Sequence, residues 1–155
     1  MWSEGAGLLV ALFVSEPSSA ELIQGQTEPL RGWVSHGYGA LEPSLALGVR
    51  MTGPASAASI TLVAPVMKAP VVTRLKVDSG TAIACSYEHQ GFTDIAVLSS
   101  GESDVHVAGF VLRGEFFWLR MERGLLRQTF AIRGGRLSAG PARLEGALCA
   151  ASAAS

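Results

Sequence analysis

Charge is scarce in this chain. Only 16% of its 155 residues are Asp, Glu, Lys or Arg, and twelve cations against thirteen anions leave a formal charge of −1. No chain-wide field therefore draws it to nucleic acid or to an acidic membrane surface. Seven of the twelve cations nonetheless fall after residue 110, which leaves room for a local basic patch. Cysteine is scarcer still. Cys85 and Cys149 lie far apart and near no His or Cys at metal-ligand spacing, which argues against both a zinc site and a disulfide framework and leaves two idle thiols. No apolar run approaches the roughly 18 residues that a membrane helix requires. Phosphate loops, Ser-His-Asp arrangements and metal motifs are also missing, so no cofactor and no metal is implied.

Glycine and proline are plentiful, at 18 and 7 residues, and apolar residues reach 48%. That mixture suits short strands punctuated by turns and argues against a disordered chain. The opening apolar run ends in Ser18-Ser19-Ala20 and imitates a signal peptide, but its first residues carry Glu4 and no Lys or Arg, the wrong charge for one. Leu8 to Val14 instead predicts a buried strand, covered on both faces like a central one. Further strands are expected at Ala20 to Gln26, Leu45 to Met51, Ala58 to Ala64, Val71 to Val77, Ala82 to Tyr87, Phe92 to Leu98 and Val105 to Leu112. Turn chemistry separates them, with Thr52-Gly53-Pro54-Ala55 joining Leu45 to Met51 to its successor. A strand and turn about every ten residues predicts an all-β antiparallel sandwich of about ten short strands. One domain is expected over residues 1–148, with 149–155 a small-residue, disordered tail.

The organising stretch is Gly114 to Leu137, which reads as a β-hairpin turning at Glu122-Arg123-Gly124. In its first arm Phe117, Leu119 and Met121 point one way and Phe116, Trp118 and Arg120 the other. In the second arm the same alternation groups Leu126, Phe130 and Ile132, with Gln128 among them, against Arg127, Thr129 and Arg133. An apolar face and a basic, aromatic-bearing face are expected together, and the apolar one needs a second layer over it.

Upstream, Gly32-Trp33-Val34-Ser35, then Tyr38-Gly39, Pro43, Leu45 and Leu47, and Thr61, Leu62 and Pro65 appear in an order of their own. Asp94 to Leu98, Val107-Ala108-Gly109, Glu115 to Arg120 and Gly124 to Leu137 follow with a matching rhythm. This ordered set resembles the C-terminal β-rich region of the heparinase II/III-like polysaccharide lyases and spans most of residues 28–140. His36 departs from it, standing where a proline is often met. The resemblance implies cleavage of uronic-acid-containing glycans by β-elimination, with a base, an acid and a group that steadies the enolate-like intermediate. It also implies that those groups sit upstream, on a helical toroid and the early β region, so this chain is expected to be the non-catalytic part that supports or lines the cleft. The implied partners are acidic polysaccharide and the toroid domain of the parent lyase, with neither nucleic acid nor membrane, and a periplasmic or secreted setting follows if the resemblance holds. A free-standing carbohydrate-binding module and a purely structural β-domain are the alternatives.

Four residues form the candidate binding face: Trp118, Arg120, Arg127 and Arg133. Aromatic rings stack on sugars and guanidinium forks bind carboxylates or sulfates, so the combination suits an acidic glycan. The bland alternative is an ordinary solvated face, or one packed against the helical domain. His36 and Tyr38 are outside candidates for catalysis, since two positions apart on an extended segment they would share a face. His89 is expected in a solvated turn and His106 on the polar side of its strand.

Overall fold

Three of the hairpins turn in the same way. Gln90-Gly91, Ala108-Gly109 and Arg123-Gly124 each place two consecutive residues at positive φ (46° and 83°, 49° and 82°, 50° and 79°). That is the type I′ geometry, whose twist matches the flanking strands. The computed structural model describes residues 7–54, 57–66, 70–79, 82–139, 142–145 and 151–152. In chain order the strands are β1 (Gly7–Val14), β2 (Ser18–Gln24), β3 (Gln26–Thr27), β4 (Leu30–Arg31), β5 (Trp33–Gly37), β6 (Ala40–Pro43), β7 (Leu45–Met51) and β8 (Ser59–Val66). They continue as β9 (Val71–Leu75), β10 (Ile83–His89), β11 (Phe92–Leu98), β12 (Val105–Val107), β13 (Phe110–Glu122), β14 (Leu125–Ala139), β15 (Ala142–Glu145) and β16 (Ala151–Ser152). The fold is all-β and every pairing is antiparallel. No helix among the described residues is long and apolar enough to cross a membrane.

The contacts group the chain into two compact units, where composition suggests one domain over 1–148. Residues 1–15 and 58–155 make the first, and 16–57 make the second. In the first unit an eight-stranded sheet runs β15-β14-β13-β11-β10-β9, with β12 on β13 and β16 on β14. The β16 pairing lies within the tail expected to be disordered, and Cys149 lies outside the described residues. Irregularities in register at Arg113/Gly114 and Arg120/Met121 break the β13–β14 ladder, and such bulges bend a sheet and sharpen its twist. Curling brings Val105, Val107, Phe110, Leu112 and Leu137 into one cluster with Ala84, Ile95, Val97, Phe117, Leu119 and Ala131. The second layer that the apolar face requires is thus supplied by the far half of the same sheet.

Two cross-strand rows carry that core. Ala84, Val97, Phe117 and Ala131 stand side by side, and Ser86, Ile95, Leu119 and Thr129 form the next row. Phe117 and Leu119 are essentially inaccessible. Burying such side chains contributes roughly 1.5–3 kcal/mol apiece.

Several expectations need correction. β1 pairs with β8 alone, in a two-stranded ribbon whose Leu8 and Val10 stay exposed, so it is not a central strand. Leu45 to Met51 is a strand as expected, and it pairs with β2. Val105 to Leu112 is two strands, folded back at Ala108-Gly109. On β14, Phe130 and Ile132 face outward with Trp118 and Phe116, whereas Leu126 packs on the core and Thr129 is buried. The physical reason is the bulge. Leu126 pairs with Met121 and Gln128 with Arg120, so Arg127 is an extra residue that reverses the alternation.

The second unit is a ribbon of β2 with β7, extended by the small hairpins β3–β4 and β5–β6. Gly32 sits at its junction, its carbonyl accepting from Gly25 N (2.9 Å) and Ser44 N (2.8 Å). It has φ +68°, and a Cβ there would lie 2.8–2.9 Å from backbone atoms of Ile23 and Ser44. Only glycine fits such a position. Trp33 packs beside it and donates through Nε1 to Gln26 O at 2.8 Å.

Candidate functional site

The outer face of the curled sheet is organised by the same register as the core. Ile83, Leu98, Phe116 and Ile132 make one row, Cys85, Ala96, Trp118 and Phe130 the next, and Tyr87, Asp94, Arg120 and Gln128 a third. A groove of about 650 Å³ runs over this face in the first unit, walled on one side by β8. Trp118, Phe116, Tyr87 and His89 supply rings to its lining, and Asp94 and Arg120 supply charge. Its size falls within the usual range for small-molecule sites.

Asp94 is the hub. Arg120 donates to it through Nε to Oδ1 and Nη2 to Oδ2, both at 2.7 Å, and His89 Nε2 lies 2.9 Å from Oδ2. The Asp94 side chain is only 14% exposed, that of His89 23% and that of Arg120 30%. Burial alone works against ionisation of Asp94, but the hydrogen bonds and charges of Arg120 and His89 outweigh it and hold the carboxyl below its ordinary value. Hydrogen bonding to Asp94 in turn raises the affinity of Arg120 for its proton. The guanidinium is further held by rings, with Cζ 4.9 Å from the Trp118 centroid and 5.4 Å from that of Phe92. Tyr87 and His89 stack at 4.6 Å between centroids.

Some polar atoms of the groove are left over. Trp118 Nε1, Tyr87 Oη, His89 Nδ1 and Arg120 Nη1 bond to no group among the described residues. A partly enclosed apolar groove with a few uncommitted donors and acceptors has the make-up of a site that could hold and orient a small polar ligand. Cys85 also lines it, buried, its thiol pushed up by desolvation over the opposing effect of a backbone hydrogen bond at Ala96. A thiol in that state is inert.

The four residues of the expected binding face separate here. Trp118 and Arg120 line the groove, whereas Arg127 and Arg133 do not. Arg127 pairs with Glu122 at 2.9 Å, and Arg133, exposed and at φ +47°, pairs with Glu115 at 2.9 Å. With Arg120 on Asp94, each of the three guanidiniums has its own carboxylate, so the face carries little free positive charge. His36 and Tyr38 lie in the second unit. The alternation that would align them stops at Gly37, where Tyr38 enters the turn with its side chain fully exposed. His36 Nε2 sits 3.7 Å from Glu42 in open solvent, so no enclosed acid–base pair forms. His106 is on the exposed side of β12, near Asp78.

His89, Asp94 and Tyr87 also line the groove, and the sequence alone does not single them out. His89 follows Glu88 and precedes the Gln90-Gly91 turn, which in sequence resembles a solvated loop. The available signal was spacing across the turn: His89 and Asp94 flank it at five residues, the separation that lets a short hairpin bring two side chains of one face together. Among the described residues no group of three or more His, Cys, Asp or Glu is placed to hold a metal ion. No family model and no curated protein matches this chain.

Proposed function

We propose that this chain is a non-catalytic, glycan-binding β-region of the kind that supports substrate in a polysaccharide lyase, holding uronic-acid-containing chains while β-elimination takes place elsewhere in the parent enzyme. The observation that carries this reading is the groove itself, in which Trp118, Tyr87 and Phe116 offer rings for stacking beside one immobilised guanidinium with a free Nη1 edge. Aromatic faces bind the C–H faces of sugars, and fixed polar groups orient them. A free-standing carbohydrate-binding module is the second reading. It is favoured by one fact: every lining residue of the groove belongs to a single unit.

The test is calorimetry of the full chain with alginate, heparan sulfate and a neutral glucan, with unsaturated-uronate absorbance followed in parallel. Binding that is lost in Trp118→Ala, with no new absorbance, is the expected result. Absence of binding to all three glycans overturns the glycan reading, and new absorbance overturns the non-catalytic one.

A further inference from the structure

The arrangement around Asp94 fixes more than the position of two side chains. An ionised carboxylate only accepts hydrogen bonds, so His89 Nε2, 2.9 Å from Oδ2, must carry a proton. In the neutral imidazole the other nitrogen, Nδ1, is then an acceptor. Arg120 is tied to the same carboxylate through Nε and Nη2 and clamped between Phe92 and Trp118, which leaves Nη1 as a donor that cannot swing away. One acceptor and one donor therefore flank a single carboxylate beside an aromatic lining.

Resting on the glycan reading above, we propose that the groove reads the hydroxyl edge of a sugar ring through His89 Nδ1 and Arg120 Nη1, and does not read the ring's carboxylate. A hydroxyl both donates and accepts, so neighbouring hydroxyls satisfy the pair. A ligand carboxylate would set its lone pairs against that of Nδ1, and it would find Arg120 already neutralised by Asp94. Among the described residues that line the groove, no other charged group reverses this balance. β8 brings no titratable side chain to the groove, β10 brings Tyr87 and the buried Cys85 beside His89, β11 brings Asp94 and β13 brings Arg120.

The experiment compares alginate with carboxyl-reduced alginate, its uncharged counterpart, as ligands for the full chain by calorimetry. At neutral pH the two should bind within about threefold of each other, and added salt should leave both affinities unchanged, because no net ion pair forms. His89→Phe keeps the ring that stacks on Tyr87 and leaves Arg120 on Asp94 but removes the Nδ1 acceptor, and should weaken both ligands about tenfold, the effect of one lost hydrogen bond. Binding confined to alginate and abolished by salt would overturn the hydroxyl-edge proposal while leaving the glycan reading in place. Failure of both polymers to bind would remove the reading beneath it as well.

Discussion

Arg120 and Asp94 stand directly opposite each other on β13 and β11 and are joined by two parallel hydrogen bonds of 2.7 Å. The fork geometry of guanidinium and carboxylate makes such a pair among the stronger polar contacts available to a sheet. It also commits the one arginine that lines the groove among the described residues to an internal partner. The pair is therefore scaffold first, with Nη1 as the edge of the guanidinium that Asp94 does not engage.

Removing one member should be costly because the other stays behind in a half-buried place. Asp94→Ala is expected to lower stability by about 2–3 kcal/mol, read from urea melts at neutral pH. The sign with pH follows from the direction of the shift. Asp94 is held below its ordinary 3.8, so its stabilisation is complete well above that value and is lost as pH falls through the lowered folded one. Asp94→Asn should consequently melt with a shallower acid dependence than the wild type, and identical slopes would contradict the pairing.

Thr129 closes a core row beside Leu119, and its Oγ1 is buried with no hydrogen-bond partner among the described residues. An unmet hydroxyl in an apolar row costs about 1–3 kcal/mol. Thr129→Val keeps the branched shape and removes that cost, so thermal unfolding should move up by about 2–4 °C. A lower melting temperature would mean that the hydroxyl has a partner after all.

Two glycines should respond differently to alanine. Gly109 has φ +82° and open space around its missing side chain, so Gly109→Ala should cost only the conformational strain, about 1–2 kcal/mol. Gly32 has φ +68° and backbone atoms within 2.9 Å of where a Cβ would stand, so Gly32→Ala adds a clash to the same strain. Limited proteolysis should cut Gly32→Ala within residues 16–57 well before it cuts the wild type, and leave Gly109→Ala resistant there.

Arg127 and Arg133 should matter little to glycans. Each is paired with a glutamate of the hairpin, outside the groove, and solvent screening leaves exposed pairs of this kind weak. Arg127→Ala and Arg133→Ala are expected to change glycan affinity less than twofold, against at least tenfold for Trp118→Ala, in the same calorimetric assay.

The hairpin around Gly124 is plain in the sequence, since alternation and a glycine turn are local properties. The outward placement of Phe116, Trp118 and Arg120 follows from them as well. The second arm does not. One extra residue at Arg127 inverts everything beyond it, and nothing in the residue types there announces a bulge. The strand Leu8 to Val14 is likewise evident as a strand, but its partners depend on where β8 lands, which is a matter of tertiary contact. The same holds for the site. Trp118 and Arg120 can be picked out from one strand, whereas the link from Arg120 through Asp94 to His89 depends on the registers of β10, β11 and β13 together.

The excursion of residues 16–57 leaves and re-enters the first unit at a single closed gate. Ser15 N donates to Ala58 O, and Ala58 N donates to Ser15 Oγ, each at 3.0 Å. Chain ends held that close leave the ribbon β1–β8 joined as in an ordinary hairpin although forty-odd residues lie between its strands in sequence, and closing a long loop costs little more than closing a short one. Those residues are an insertion between two paired strands, and β1 and β8 keep a continuous register across it.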